Sequence, residues 1–206
     1  MRRTKAEAKE TRRQIISAAE RVFFTKGVSN ATLEDVAHAA GVTRGAIYWH
    51  FANKTDLFLE LYNSVPLPQE DMIDRELESV DADVLAVIEK AASEWLQLLS
   101  HDEQRQRILT ILLRCDYSGE LAMMLDKQQQ VDELHMRSLE KAFARAVETG
   151  QLRDCWTPKS AASALRWMIK GICTEWLLFG RRFDVAKEGK EGLKRLLGSF
   201  AASRPS

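Results

Sequence analysis

No apolar run in this 206-residue chain approaches the roughly 18 residues that a bilayer-spanning helix needs, so the sequence predicts no membrane anchor. The N-terminus, "MRRTKAEAKETRRQ", is basic but lacks the apolar stretch of a secretory leader. Only three cysteines occur, Cys115, Cys155 and Cys173. They are odd in number and lack metal or redox spacing, which predicts a reducing, cytoplasmic setting. The four histidines, His38, His50, His101 and His135, keep no ligand spacing with Cys, Asp or Glu, and no nucleophile–base pattern is present. The expectation is a protein that is not an enzyme and carries no metal and no cofactor. Strand-like alternation is missing too, and four prolines leave little to break helices.

What is present is a composition 45% hydrophobic and 29% charged, enough for one or two packed helical domains and unlike that of a disordered chain. The zero net charge hides an asymmetry. Residues 1–55 hold ten Lys/Arg against five Asp/Glu, a net +5, and the remainder holds twenty against twenty-five, a net −5. A basic front end fused to an acidic remainder points to a polyanion met by the first part alone.

Helical periodicity runs almost throughout. Residues 9–26 place Ile15, Ile16, Ala19, Val22 and Phe23 on one face, with Gly27 as a stop. Thr32 with Asp35 spells a capping box for a short helix carrying Leu33, Val36, Ala37 and Ala40, which ends at Gly41. Thr43 starts a third helix that ends near His50 and Phe51. Asn53 with Asp56 starts a fourth, bearing Leu57, Phe58, Leu61, Tyr62 and Val65. "VPLP" at 65–68 ends or kinks that helix, so the predicted boundary divides a basic domain, 1–65, from a larger one, 66–206. In the second domain, amphipathic segments are expected near 82–100, 102–116, 119–149, 158–179 and 185–202. The fold class is all-α.

Two short helices joined through "AAGVT" are the pattern of a helix-turn-helix, here about 32–51. Gly41 supplies the turn, and small Ala37 and Ala40 permit close approach. On the second helix Val42, Ile47 and Phe51 point inward, which leaves Thr43, Arg44, Gly45, Tyr48, Trp49 and His50 outside. An outward glycine lets the helix backbone approach a groove floor. Arg44 can reach a guanine edge or a phosphate. The hydroxyls of Thr32, Thr43 and Tyr48 can donate to phosphate oxygens, and His50 and Lys54 extend the cationic rim. Only Arg44, Gly45 and Thr43 are candidates for reading bases; the others position the helix. Arg2, Arg3, Lys5, Arg12 and Arg13 can add phosphate or minor-groove contacts. Taken singly, Tyr48 or Trp49 suits core packing equally well, and the combination carries the reading.

"TLEDVAHAAGVTRGAIYWHFANKTDLF" resembles the DNA-binding signature of the TetR family of bacterial transcriptional regulators, and "RRTKAEAKETRRQIISAAERVFFTKGV" looks like that family's first helix. Together they cover residues 2–65, about a third of the chain. "GVTRGAIYWHF" and the later "RILTILLRC" resemble the AcrR-like branch, whose members repress multidrug efflux pumps. The resemblance implies that Thr32, Thr43, Arg44, Gly45, Tyr48, Trp49, His50 and Lys54 lie at or near double-stranded operator DNA. It also implies a homodimer on a palindromic operator, which suits the few base pairs that one short helix can read.

The resemblance further implies a C-terminal ligand-binding and dimerisation domain in which the last two helices form a four-helix interface. Leu165, Met168, Ile172, Leu193, Leu196, Leu197 and Phe200 are the candidates for it. They suit closure of the domain's own core as well. A surplus of soft or flat side chains, Trp95, Leu99, Leu112, Cys115, Met123, Met124, Trp167 and Trp176, suits a pocket for a small hydrophobic or aromatic effector, though each also suits plain core. Met136, Phe143 and Phe179 belong to the same wider set. Arg107 and Arg114 can hold an acidic group or pair with surface carboxylates. The expected function is an effector-released repressor of an efflux operon and of its own gene. The alternatives are a regulator controlled by a protein partner or by oxidation and, in another class, a helical carrier or enzyme.

Overall fold

The computed structural model describes residues 4–64 and 82–202. Among them are nine α-helices and no strand: α1 (Lys5–Lys26), α2 (Leu33–Ala40), α3 (Arg44–His50), α4 (Lys54–Asn63), α5 (Val84–His101), α6 (Glu103–Arg114), α7 (Ala122–Glu148), α8 (Pro158–Leu178) and α9 (Lys187–Phe200). A single 3-10 turn, Gly119–Leu121, precedes α7. The all-α expectation holds. Val65, Pro66 and the predicted kink lie outside the described residues, as do Arg2 and Arg3.

Local chemistry sets most helix ends. The Thr32 hydroxyl accepts from the Asp35 amide at 3.1 Å, and the Thr32 amide donates to the Asp35 carboxylate at 3.0 Å, closing the box that the sequence spells. Thr43 accepts from the Ala46 amide at 3.2 Å and Asn53 from the Asp56 amide at 2.7 Å. Gly41 adopts φ 67°, ψ 27°, the left-handed turn where a side chain would be strained, and the Val42 amide returns to the Ala37 carbonyl at 3.0 Å. α1 begins four residues before the predicted start because a second box, Thr4 with Glu7, caps it.

The described residues form two compact units, one from residues 4–64 with 104–126, the other from 82–103 with 127–202. The first unit buries Ile15, Phe23, Val36, Ile47, Phe51, Leu57, Phe58 and Leu61, and Phe23 meets Phe58 edge-on at 6.0 Å. Each side chain of this size contributes about 1.5–3 kcal/mol by leaving water. Ile108, Ile111, Leu121 and Met124 complete the same core, so α6 and the start of α7 belong to this unit.

The second unit packs Ile88, Leu96 and Leu99 of α5 with Phe143, Leu165, Leu193, Leu197 and Phe200. α9 approaches its neighbours closely at two glycines. A Cβ at Gly189 would stand 2.7 Å from Leu96 Cδ1, and one at Gly192 would stand 2.7 Å from Met168 Cε. Gln151 closes the start of α5, accepting from the Val84 amide at 2.8 Å and donating to the Ala82 carbonyl at 3.0 Å. Leu152 and Ala201 form an isolated antiparallel bridge beside it.

Candidate nucleic-acid interface

α3 divides as its spacing predicts: Ile47 and Phe51 are fully buried, whereas Thr43, Arg44, Gly45, Tyr48 and Trp49 are exposed. Trp49 is 73% exposed and Tyr48 44%, on a helix of seven residues. Exposed aromatic surface of this size is unfavourable in water unless something covers it. A Cβ at Gly45 would meet nothing within 4 Å, so no neighbour inside the protein requires a glycine there.

Arg44 is held from two sides. Its Nε lies 3.1 Å from Glu34 Oε1, and its guanidinium sits 5.7 Å from the centre of the Tyr48 ring. The pairing engages Nε, and two terminal nitrogens of a guanidinium can together meet a guanine O6/N7 edge. The Arg44 side chain is 72% exposed, so this pairing stabilises the fold little and acts mainly on orientation. Thr32 and Thr43 each use the hydroxyl oxygen as acceptor for a helix amide, which leaves the O–H proton to donate to a phosphate. His50 is half-buried, with its ring edge-on to Trp49 at 4.6 Å.

Lys54 is placed differently from the open cationic rim that its sequence position suggests. Its side chain is 16% exposed, and the ammonium donates to the Ser29 carbonyl at 3.2 Å and pairs with Glu120 at 3.2 Å. Arg12 pairs with Glu60 at 2.9 Å and lies 4.9 Å from the Phe51 ring centre, tying α1 to α4. The hydrogen bond from Arg12 and its charge hold the Glu60 carboxyl below its ordinary range. Lys26, with the Thr32 amide and hydroxyl, holds Asp35 down to about 2. Arg107 reaches the buried carboxylate of Glu20 at 2.5 Å, joined by Gln104 at 3.2 Å, and Arg114 lies over Phe24. Sequence reasoning missed Glu20 and Glu120, whose partners stand far along the chain, and Glu34, whose partner Arg44 lies across the turn on the next helix.

The eight effector candidates divide four and four. Leu112, Cys115, Met123 and Met124 belong to the first unit, with Leu112, Cys115 and Met124 packed at its core and Met123 exposed. Trp95, Leu99, Trp167 and Trp176 belong to the second, three of them buried and Trp167 65% exposed. Burial pushes the Cys115 and Cys173 thiols up to about 11, which keeps both protonated at neutral pH and makes them poor sensors of oxidant. Of the seven interface candidates, Leu165, Leu193, Leu197 and Phe200 are buried within the protomer, whereas Met168, Ile172 and Leu196 remain half-buried. An open cavity of about 420 Å³ in the second unit is lined by Gln129, Asp132, Glu133, Met136, Arg137, Glu140 and Arg166, none of them among the eight. Among the described residues no three His, Cys, Asp or Glu side chains are grouped to hold a metal ion, and no helix is long and apolar enough to cross a membrane.

A capped helix, a left-handed glycine turn and a second helix with a buried apolar stripe and an exposed cationic, aromatic face define a helix-turn-helix DNA-binding protein. Residues 15–61 match the family described as bacterial regulatory proteins, tetR family, and residues 83–201 match the MAATS-type transcriptional repressor, C-terminal region. The transcriptional repressor BepR of Brucella suis biovar 1 is 36% identical over 203 residues, covering 98% of this chain and 97% of its own. The transcriptional regulator TtgR of Pseudomonas putida is 39% identical over 188 residues, 90% of this chain and 89% of its own. Among solved structures, NalD, the secondary repressor of the MexAB-OprM multidrug efflux pump in Pseudomonas aeruginosa, has a TM-score of 0.85 at 36% identity, covering 98% of this chain and 100% of that one. A SmeT–triclosan complex has a TM-score of 0.81 at 30% identity, covering 95% and 93%. The chain belongs to the TetR family and is a TetR-type transcriptional repressor. These relatives are regulators of transcription and not enzymes.

Proposed function

We propose that this chain is the homodimeric repressor of a multidrug efflux pump operon and of its own gene, acting in the cytoplasm and released from a palindromic operator by a small hydrophobic or aromatic effector. The observation that carries the reading is the exposed face of α3, where Arg44, Gly45, Tyr48 and Trp49 stand outward from a helix anchored by Ile47 and Phe51. Thr32, Thr43, His50 and Lys54 flank that face and complete the proposed DNA site. The efflux assignment draws on NalD, described as a pump repressor, and the effector on the SmeT–triclosan complex.

In this reading residues 1–65 bind DNA and residues 66–206 bind the effector and dimerise. Support for a dimer comes from exposed Trp167 and Phe179 with half-buried Met168, Ile172 and Leu196, all on or beside α8 and α9. An effector releases DNA only if it binds the two states of the dimer unequally, by about 1–3 kcal/mol in typical cases. High thiol pKa values speak against the oxidation-controlled alternative for Cys115 and Cys173.

Nuclease footprinting on the region upstream of the gene, and on any divergent pump operon beside it, tests the reading. The expected result is a protected palindrome that hydrophobic drugs such as triclosan abolish. Absence of protection at physiological salt would remove the efflux assignment, and protection insensitive to every such compound would favour control by a protein partner.

A further inference from the structure

Between Thr32 and His50 the helix-turn-helix carries two acids, Glu34 and Asp35, and one arginine, Arg44. The acids are adjacent but have different tasks. Asp35 accepts from the Thr32 amide at 3.0 Å and from the Lys26 ammonium at 2.6 Å, which holds the start of α2. That cap is complete without Glu34. The Glu34 carboxylate crosses instead to the next helix, where Oε1 lies 3.1 Å from Nε of Arg44.

The contact joins the first turn of α2 to the first residue of α3, and the backbone between them is set. Gly41 holds its left-handed turn, the Val42 amide returns to Ala37, and Thr43 caps α3 through the Ala46 amide. Tyr48, one turn further along α3, places its ring 5.7 Å from the same guanidinium. An acid and an aromatic ring thus flank an arginine whose side chain is still 72% exposed. An exposed ion pair adds little to fold stability, so stability does not account for this one. Its consequence lies in what Arg44 does when DNA covers the face and the screening water leaves. A bare guanidinium has two uses on a duplex. Phosphate oxygens draw it by charge and carry no sequence, whereas the O6/N7 edge of guanine draws it by hydrogen bonds. A carboxylate at Nε offsets the charge and repels a phosphate approaching from that side. The guanine edge, which is uncharged, is penalised far less.

We propose that Glu34 is a specificity-determining positioning residue, which turns Arg44 from the DNA backbone toward a base edge without touching a base itself. The proposal rests on the reading of α3 as the DNA-facing helix. Removing the carboxylate releases Arg44 to the phosphates, so the protein binds more tightly overall and discriminates less.

A library of duplexes of about 40 base pairs with a randomised centre, long enough for two half-sites one turn apart, serves as the probe. Full-length wild type, Glu34→Ala, Glu34→Asp, Arg44→Ala and the Glu34→Ala, Arg44→Ala double variant each select from it. Sequencing of the bound pools gives the base preference at every position. Arg44→Ala is expected to erase the preference at one position of each half-site. Glu34→Ala is expected to lower it there about three- to tenfold, to leave the other positions as they are, and to add nothing in the Arg44→Ala background. On the unselected library, fluorescence anisotropy should show Glu34→Ala binding more tightly, with the dependence of log K on log salt steepened by up to about 0.9 per protomer. Glu34→Asp keeps the first-turn charge of α2 but falls one methylene short of Arg44, and is expected to relax the same position. The proposal is overturned if Glu34→Ala keeps the wild-type preference, if it relaxes all positions alike, or if Arg44→Ala alters no position. A Glu34→Asp variant with wild-type preference would reduce Glu34 to a first-turn charge and overturn it too. Wild-type protein that enriches no sequence would instead remove the DNA-binding reading beneath it.

Discussion

Two helices of this protein carry an exposed tryptophan, and each exposes it in different company. On α3, Trp49 stands with Tyr48, Arg44 and Gly45, and the Arg44 guanidinium is left mostly in solvent. On α8, Trp167 stands with half-buried Met168 and Ile172 and exposed Gly171, while the cations nearby, Arg166 and Lys170, are both paired with Asp132. The difference teaches what each surface fits. Aromatic rings beside an arginine that stays mostly in solvent, though paired with Glu34, and an open glycine suit a phosphate-lined groove. Aromatic and apolar side chains beside neutralised charge suit a second copy of the chain.

The contrast is sharpest in the response to losing either tryptophan. For the proposed interface on α8, Trp167→Ala is expected to raise the dimer dissociation constant about thirtyfold or more, the loss typical of a tryptophan at the centre of an interface, as read by analytical ultracentrifugation. Trp49→Ala should leave the mass unchanged and weaken DNA binding alone. A Trp49 variant that falls to a monomer, or a Trp167 variant that stays dimeric at low concentration, would break the comparison.

A smaller effect separates reading from positioning within α3. Arg44→Ala is expected to lose about 1–3 kcal/mol of discrimination per half-site between the operator and one altered at the contacted guanine. Equal weakening on all sequences, in competition binding assays, would make Arg44 a phosphate contact. Gly45→Ala is subtler, since no atom inside the protein opposes the new methyl. Thermal melting should show α3 and its unit stabilised by about 0.5–1 kcal/mol, while operator affinity falls because the methyl meets the groove. Unchanged affinity would remove the close backbone approach.

The smallest effect is acid sensitivity in the first unit. Folded Asp35 titrates near 2 and Glu60 below its ordinary range, so each stabilises the native state fully above the unfolded carboxylate pKa near 4. That contribution is lost as pH falls through the folded values. Lys26→Met removes the largest cause of the Asp35 shift, and its chemical denaturation profile should lose part of the dependence on pH between about 4 and 2. A profile parallel to wild type would assign the shift to Thr32.

How far the sequence discloses this arrangement depends on the range of each interaction. Thr32, Thr43 and Asn53 bond to amides three residues away, so their helix starts are legible from spacing alone. The outward face of α3 is legible for the same reason. Glu120 reaches α4 across 65 residues and Arg107 reaches Glu20 across 87, and no local pattern marks such pairs. Ile108, Ile111, Leu121 and Met124 have a periodicity that reads identically whichever core they fill, so their place in the first unit is visible only in the fold. Large apolar residues such as Leu99 and Trp167 share helical spacing, yet one is wholly buried and the other mostly exposed.

Gly189 gives the last helix an unusual genetic fragility. A Cβ at Gly189 would stand 2.7 Å from Cδ1 of fully buried Leu96 and 3.3 Å from Ile172 Cγ2, so the packing beneath α9 would have to give, whereas at Gly192 only the flexible end of Met168 stands in the way. Where the protein represses an efflux operon as proposed, single-nucleotide changes in the Gly189 codon are expected among drug-resistant isolates. They would leave every DNA-facing residue intact and yet present as constitutive expression of the controlled operon. Sequencing alleles that have lost repression would then find α9 represented beside α3, two targets of very different chemistry giving one phenotype.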